Sequence, residues 1–233
     1  MWAYHLVALF AVPLALKAWT PLPTEVVRKV QHLAFALSVL LLFALFDRWT
    51  EALVATVGLA LVAYPVLWLW ERHGSYRRLL TDRAARGGEL RRQLLLAVLA
   101  LSLLITLFWG LAGPAWRPTI VVAVMVWGFG DAAAALVGRN LGRRRFVHRV
   151  VEGAKTLEGT AAMVAVGALA AFVTLLCYGA TPWWVSLLAA VTIAPIAGGT
   201  ELLSRRGFDT VTVPWVTAIA LVPWFAFGGA LAP

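Results

Sequence analysis

The stretch TIVVAVMVWGFGDAAAALV, Thr119 to Val137, carries a single charge, Asp131. As a helix with a ~1.5 Å rise per residue it spans about 28 Å, close to the ~30 Å hydrocarbon core of a bilayer. Similar apolar runs lie on both sides of it. Charged residues and Pro/Gly interruptions bound spans at about Trp2–Leu16, Leu33–Phe46, Ala52–Trp70, Leu94–Leu111, Thr119–Val137, Thr160–Tyr178, Trp183–Leu203 and Val213–Leu231. The second is short and should recruit part of Val26 to His32. Composition agrees: of 233 residues 62% are hydrophobic and 13% charged, with mean hydropathy +0.84, whereas soluble domains are ~25% charged. The chain therefore reads as an all-α integral membrane protein of about eight transmembrane helices, a single polytopic domain over residues 1–233.

Orientation follows from the basic residues, which are retained on the cytoplasmic side. The first, third, fifth and seventh loops hold 18 of the 20 Lys and Arg, and the other loops hold Arg48 and Arg117. Eight spans with both termini non-cytoplasmic account for this alternation. No basic residue precedes the first apolar run and no small-residue cleavage site follows it, which argues against a signal peptide. Cys177 is the only cysteine, so no intramolecular disulfide or multi-cysteine metal site can form. The pI near 10.8 comes from arginines flanking spans. Positive-inside retention and anionic headgroups explain these, and nucleic acid is not expected as a partner. Tryptophans near span ends fit interfacial belts.

Asp131 lies within a span, about six residues from the expected cytoplasmic end, where a carboxylate costs on the order of 1 to 3 kcal/mol. It needs a partner, a metal or a proton. Asp131, Ala135, Gly138 and Gly142 share one helical face, a strip of small side chains leading into the basic run Arg139, Arg143, Arg144 and Arg145. Such a strip lets membrane helices approach closely, or lets a phosphate reach the backbone. Spacing alone leaves both open. After the basic run come Glu152-Gly153-Ala-Lys155-Thr156-Leu157-Glu158-Gly159-Thr160. If already helical, this stretch pairs Lys155 with Glu158 and Thr156 with Thr160 at a helix N-terminus, which favours anions. The last loop carries Glu201 to Asp209, with Pro214 expected in the first turn of the eighth helix. Arg28 and His32 share a face if helical. His5, His73 and His148 show no metal-ligand spacing.

Together, Arg28-Lys29-x-x-His32, Asp131-x-x-Ala134-x-x-x-Gly138-x-x-x-Gly142, Lys155-Thr-x-Glu158-Gly159-Thr160, and Glu201 followed by Gly207-x-Asp209-Thr-x-Thr-Val213-Pro214 resemble the phytol kinase/dolichol kinase family. The likeness runs over about residues 25–220. Two positions depart from the family pattern: Thr210 stands where Asn is usual, and Thr156 where Ser is common. The polytopic phosphatidate cytidylyltransferases share a Gly-Arg-x-x-Gly segment and a Lys-Thr-x-Glu-Gly segment. Their Gly-His-Gly-Gly-rich signature is absent here, which favours the kinases.

The resemblance implies a CTP-dependent kinase that phosphorylates a membrane lipid alcohol of the phytol, farnesol or polyprenol type, with Mg2+ as cofactor and its active site facing the cytoplasm. It implies catalytic roles for Asp131, Lys155 and Asp209. Nucleotide and phosphate contacts would come from Arg28, Lys29, His32, Gly138, Arg139, Gly142, Thr156, Glu158, Gly159 and Thr160. Metal ligation would come from Asp131, Glu158, Glu201 and Asp209, since Mg2+ is usually held by one or two carboxylates plus phosphates. The expected partners are the lipid alcohol, a nucleoside triphosphate and the bilayer; self-association is left open. The alternatives are a cytidylyltransferase making a CDP-activated lipid and a non-enzymatic transporter. A transporter predicts paired charges deep in several spans or two related halves, and the sequence has neither.

Overall fold

The computed structural model describes residues 2–72, 88–149, 151, 155–179, 181–205 and 207–231. Most of the seven-positive third loop, with His73, and also Glu152, Gly153 and Arg206 lie outside the described residues. The helices are α1 (Trp2–Leu6), α2 (Val12–Trp19), α3 (Thr24–Leu45), α4 (Trp49–Arg72), α5 (Glu89–Leu104), α6 (Arg117–Leu141), α7 (Leu157–Tyr178), α8 (Trp183–Leu203) and α9 (Asp209–Leu231). π-Helical turns Val7–Ala11 and Ile105–Leu111 join α1 to α2 and extend α5.

Seven helices among the described residues are long and apolar enough to cross a membrane. The segment expected as the first span is helical from Trp2 to Trp19, but the π turn divides it, so it does not form one long α-helix. The short second span does recruit its polar flank, since α3 begins at Thr24.

The chain divides into two compact units, Met1–Leu103 and Leu104–Pro233. In the first, the Tyr4 hydroxyl donates to Ala34 O at 2.8 Å and buried His5 packs edge-on to Phe35, which fastens α1 to α3. Ala60, Ala63 and Leu67 of α4 bury against Leu94 and Val98 of α5. An ion pair between Arg91 and Glu71 at 2.7 Å links the polar ends of the same two helices.

The second unit is built around α6, which touches α7, α8 and α9. Every residue from Thr119 to Gly128 is buried, as expected for a helix apolar on all sides. Small residues set the approach distances. A Cβ on Gly130 would collide with Met163 Sδ of α7, and one on Gly198 of α8 would lie 2.6 Å from Val164 Cγ2. Pro195 and Pro223 lie within helices.

Candidate active site

Three local structures at one end of the second unit place the candidate side chains. The first is the end of α6. This helix continues to Leu141, past the expected Val137, so Asp131 lies ten residues, about 15 Å of rise, from its C-terminal end. The carboxyl residue is 5% exposed. The boundary moved because Gly138-Arg139-Asn140 are polar enough to end an apolar run yet still extend the helix.

The second is the segment between α6 and α7. Phe146 N donates to Lys155 O and Leu157 N to Arg144 O, each at 2.9 Å, so the chain doubles back as a narrow antiparallel neck bridged at Arg145 and Thr156. Thr156 is extended, not helical. Its Oγ1 accepts from Gly159 N at 3.1 Å and caps α7. The cap overturns the expected pairing of Lys155 with Glu158, because the helix starts only at Leu157 and the two side chains diverge. The Glu158 carboxylate accepts the Arg144 amide at 3.2 and 3.3 Å, bracing the neck.

The glycine strip is used for close helix approach. A Cβ on Gly138 would lie 3.0 Å from Thr156 Oγ1, and one on Gly159 would lie 2.9 Å from Ala134 O and 3.2 Å from Gly138 Cα. A Cβ on Gly142 would lie 2.9 Å from the same Thr156 hydroxyl. Thr160 continues the first turn of α7, its N–H on Thr156 O at 3.0 Å. Arg139 is exposed near the end of α6.

The third is the turn from α8 to α9, which needs glycine at Gly207, where φ is 76°. The Lys155 ammonium reaches this turn. It pairs with Glu201 Oε1 at 2.9 Å, donates to Ser204 O at 3.2 Å and also meets the Glu201 carbonyl. Its three N–H donors thus match three acceptors at the C-terminal end of α8, where a cation also complements the helix dipole. Glu201 is buried at 9% exposure and interacts electrostatically with Lys155, Asp131 and Asp209. Lys155 is thus in direct contact with Glu201, and the charges of Asp131 and Asp209 act on the same carboxylate.

Two findings here had no signal in local spacing. The Ser204 hydroxyl meets the Thr212 hydroxyl at 2.6 Å, joining the end of α8 to the start of α9. Arg205 donates to Arg149 O, which ties the tip of the 142–156 segment to the same turn. Pro214 also departs from expectation: α9 starts at Asp209, so Pro214 is inside the helix. Lacking an N–H, it cannot donate the usual helical bond to the carbonyl of buried Thr210.

Arg28, Lys29 and His32 lie on α3 of the first unit. Arg28 pairs with Glu25, Lys29 is 4% exposed, and His32 Nε2 is 3.5 Å from Gln93 Oε1 of α5.

Among the described residues no three of His, Cys, Asp and Glu are grouped as metal ligands. The oxygen donors Asp131, Glu201 and Asp209 nevertheless suit a hard cation. Such a cation would take one or two of them and complete its shell with phosphate oxygens and water.

The chain is 34% identical over 208 residues to a protein of Synechocystis sp. (strain ATCC 27184 / PCC 6803 / Kazusa) named phytol kinase; the match covers 87% of this chain and 79% of that one. No family model matches the chain. No solved structure matches it.

Proposed function

Because the chain belongs to the phytol kinase family, we propose that it transfers the γ-phosphate of CTP to the hydroxyl of a membrane isoprenoid alcohol, at the Lys155 end of the second unit. The observation that carries this reading is the ion pair of Lys155 with the buried Glu201 carboxylate, on which the charges of Asp131 and Asp209 also act, at the end of a helical bundle.

Phosphoryl transfer depends mostly on positioning and charge stabilisation. The alcohol oxygen bonds to the γ-phosphorus, the bond to the bridging oxygen breaks, CDP leaves and the hydroxyl proton must be taken up. Asp131, buried in α6 about 15 Å of helix rise from its C-terminal end, accepts that proton. Glu201 and Asp209 would hold Mg2+, which would supply positive charge to the phosphate oxygens. Lys155 exchanges a carbonyl of α8 for a phosphate oxygen when the nucleotide enters, and Arg139 adds positive charge. The 18 basic residues on alternate loops support a cytoplasmic position for this end.

The test is to incubate purified chain with Mg2+, a panel of phytol, farnesol, longer polyprenols, diacylglycerol and, as a phosphorylated acceptor for cytidylyl transfer, phosphatidate, and CTP labelled at the γ or the α phosphate, with ATP in parallel. Label from the γ position should enter an isoprenoid, and Asp131→Asn should abolish transfer. Label arriving from the α position would instead establish a cytidylyltransferase, and label from neither position in any lipid would sink the enzymatic reading.

A further inference from the structure

Ser204 is the first residue past α8 and meets three separate parts of the second unit. Its Oγ contacts Thr200 O at 2.6 Å within α8 and Thr212 Oγ1 at 2.6 Å in α9, while its carbonyl accepts from Lys155 at 3.2 Å. A hydroxyl has one proton and two lone pairs. The arrangement that satisfies both contacts sends the Ser204 proton to Thr200 O and the Thr212 proton to Ser204. Thr212 Oγ1 also lies 3.0 Å from Phe208 O, so its one proton is shared between Phe208 O and Ser204.

Glu201 lies three residues before Ser204 and Asp209 three before Thr212, so each acid is one turn from a member of the hydroxyl pair. The connection between them includes Gly207 at φ 76°, around which a Cβ would meet nothing within 4 Å among the described residues. The hydroxyl bond ties the two helix ends directly. We propose that Ser204 is a positioning residue, whose bond to Thr212 sets the spacing of Glu201 and Asp209 and so the chain's response to Mg2+. This rests on the kinase reading of the same site.

A purely local role in ending α8 needs only the bond to Thr200 O and nothing from Thr212, so the two partners are varied separately. In the purified full-length chain with CTP, the thermal unfolding midpoint is followed across Mg2+ concentrations, alongside γ-phosphate transfer to phytol. Ser204→Ala and Thr212→Val should each raise the half-maximal Mg2+ concentration in both readouts by about tenfold, the scale seen when a partner behind a metal ligand is lost. The double variant should be no worse than either single one, Ser204→Thr should behave as wild type, and the KM for the alcohol should not move.

Ser204→Ala acting while Thr212→Val keeps the wild-type Mg2+ response would overturn the proposal, as would two unresponsive single variants. If Ser204→Ala does not fold, Thr212→Val decides alone. A wild-type chain that moves no γ-phosphate, yet loses its Mg2+ thermal shift in both variants, sinks the kinase reading and keeps the tie. An active wild type with unresponsive variants does the reverse.

Discussion

Lys155 and Glu201 are 46 positions apart in the chain and 2.9 Å apart in space. Their side chains are 21% and 11% exposed, so the pair is mostly shielded from water. Removing one partner of a buried pair costs ~3–5 kcal/mol, and the residual exposure lowers that to about 1–3 kcal/mol here. Lys155→Met should therefore lower the unfolding free energy in detergent by that amount. Adding Glu201→Gln should recover part of it, and a double-mutant cycle in chemical denaturation reads the difference. One residue further on, Thr156→Val keeps the shape but loses the acceptor for Gly159 N. It should cost about 1 kcal/mol in the same assay, with Thr156→Ser near wild type. Gly159→Val drives a side chain toward Ala134 O and Gly138 Cα, and overpacking of this kind costs ~1–3 kcal/mol. Thermal melts of these variants should rank Thr156→Ser above Thr156→Val.

Among elements, the doubled-back 142–156 segment is held by two ties to the α8–α9 turn, one from Lys155 and one from Arg205 to Arg149 O. Arg205→Met should loosen its tip, and limited trypsin digestion should then cut faster between Arg143 and Arg149 while the helices stay intact. Unchanged cleavage would mean that Lys155 holds the segment alone. These ties also mark where the sequence is hard to read. Spans are legible because a long apolar run has few other ways to satisfy its backbone, and Trp183–Leu203 appears with the expected bounds. Polar ends are not so constrained. Asp209 and Thr210 belong to α9 although they precede its apolar run, and Lys155 stays outside α7 because Thr156 caps it. The identity of Asp131 as a costly acid is plain from local sequence. Its association with Glu201 and Asp209 depends on how three helices pack, which no spacing encodes.

For the whole molecule, the alternation of basic loops predicts a specific sidedness. Val147, at the tip of the 142–156 segment, is 96% exposed. With Cys177→Ser removing the native thiol, Val147→Cys should react with a membrane-impermeant maleimide in inside-out vesicles and stay unlabelled in intact cells. Labelling in intact cells would reverse the proposed orientation. The Lys155 contacts carry a further implication, for biogenesis. Translation delivers Lys155 before Glu201, Ser204 and Thr212, so a nascent chain ending at α7 holds the lysine without its acceptors. Charged residues burden membrane insertion by ~2.5–3.5 kcal/mol at a span centre and by less near its ends. The polar end of the bundle is therefore finished only when the last two helices are threaded in. A fragment stopped after Tyr178 should be cleared by quality-control proteases, whereas co-expression with a second fragment beginning near Trp183 should restore it, because the missing acceptors arrive in trans.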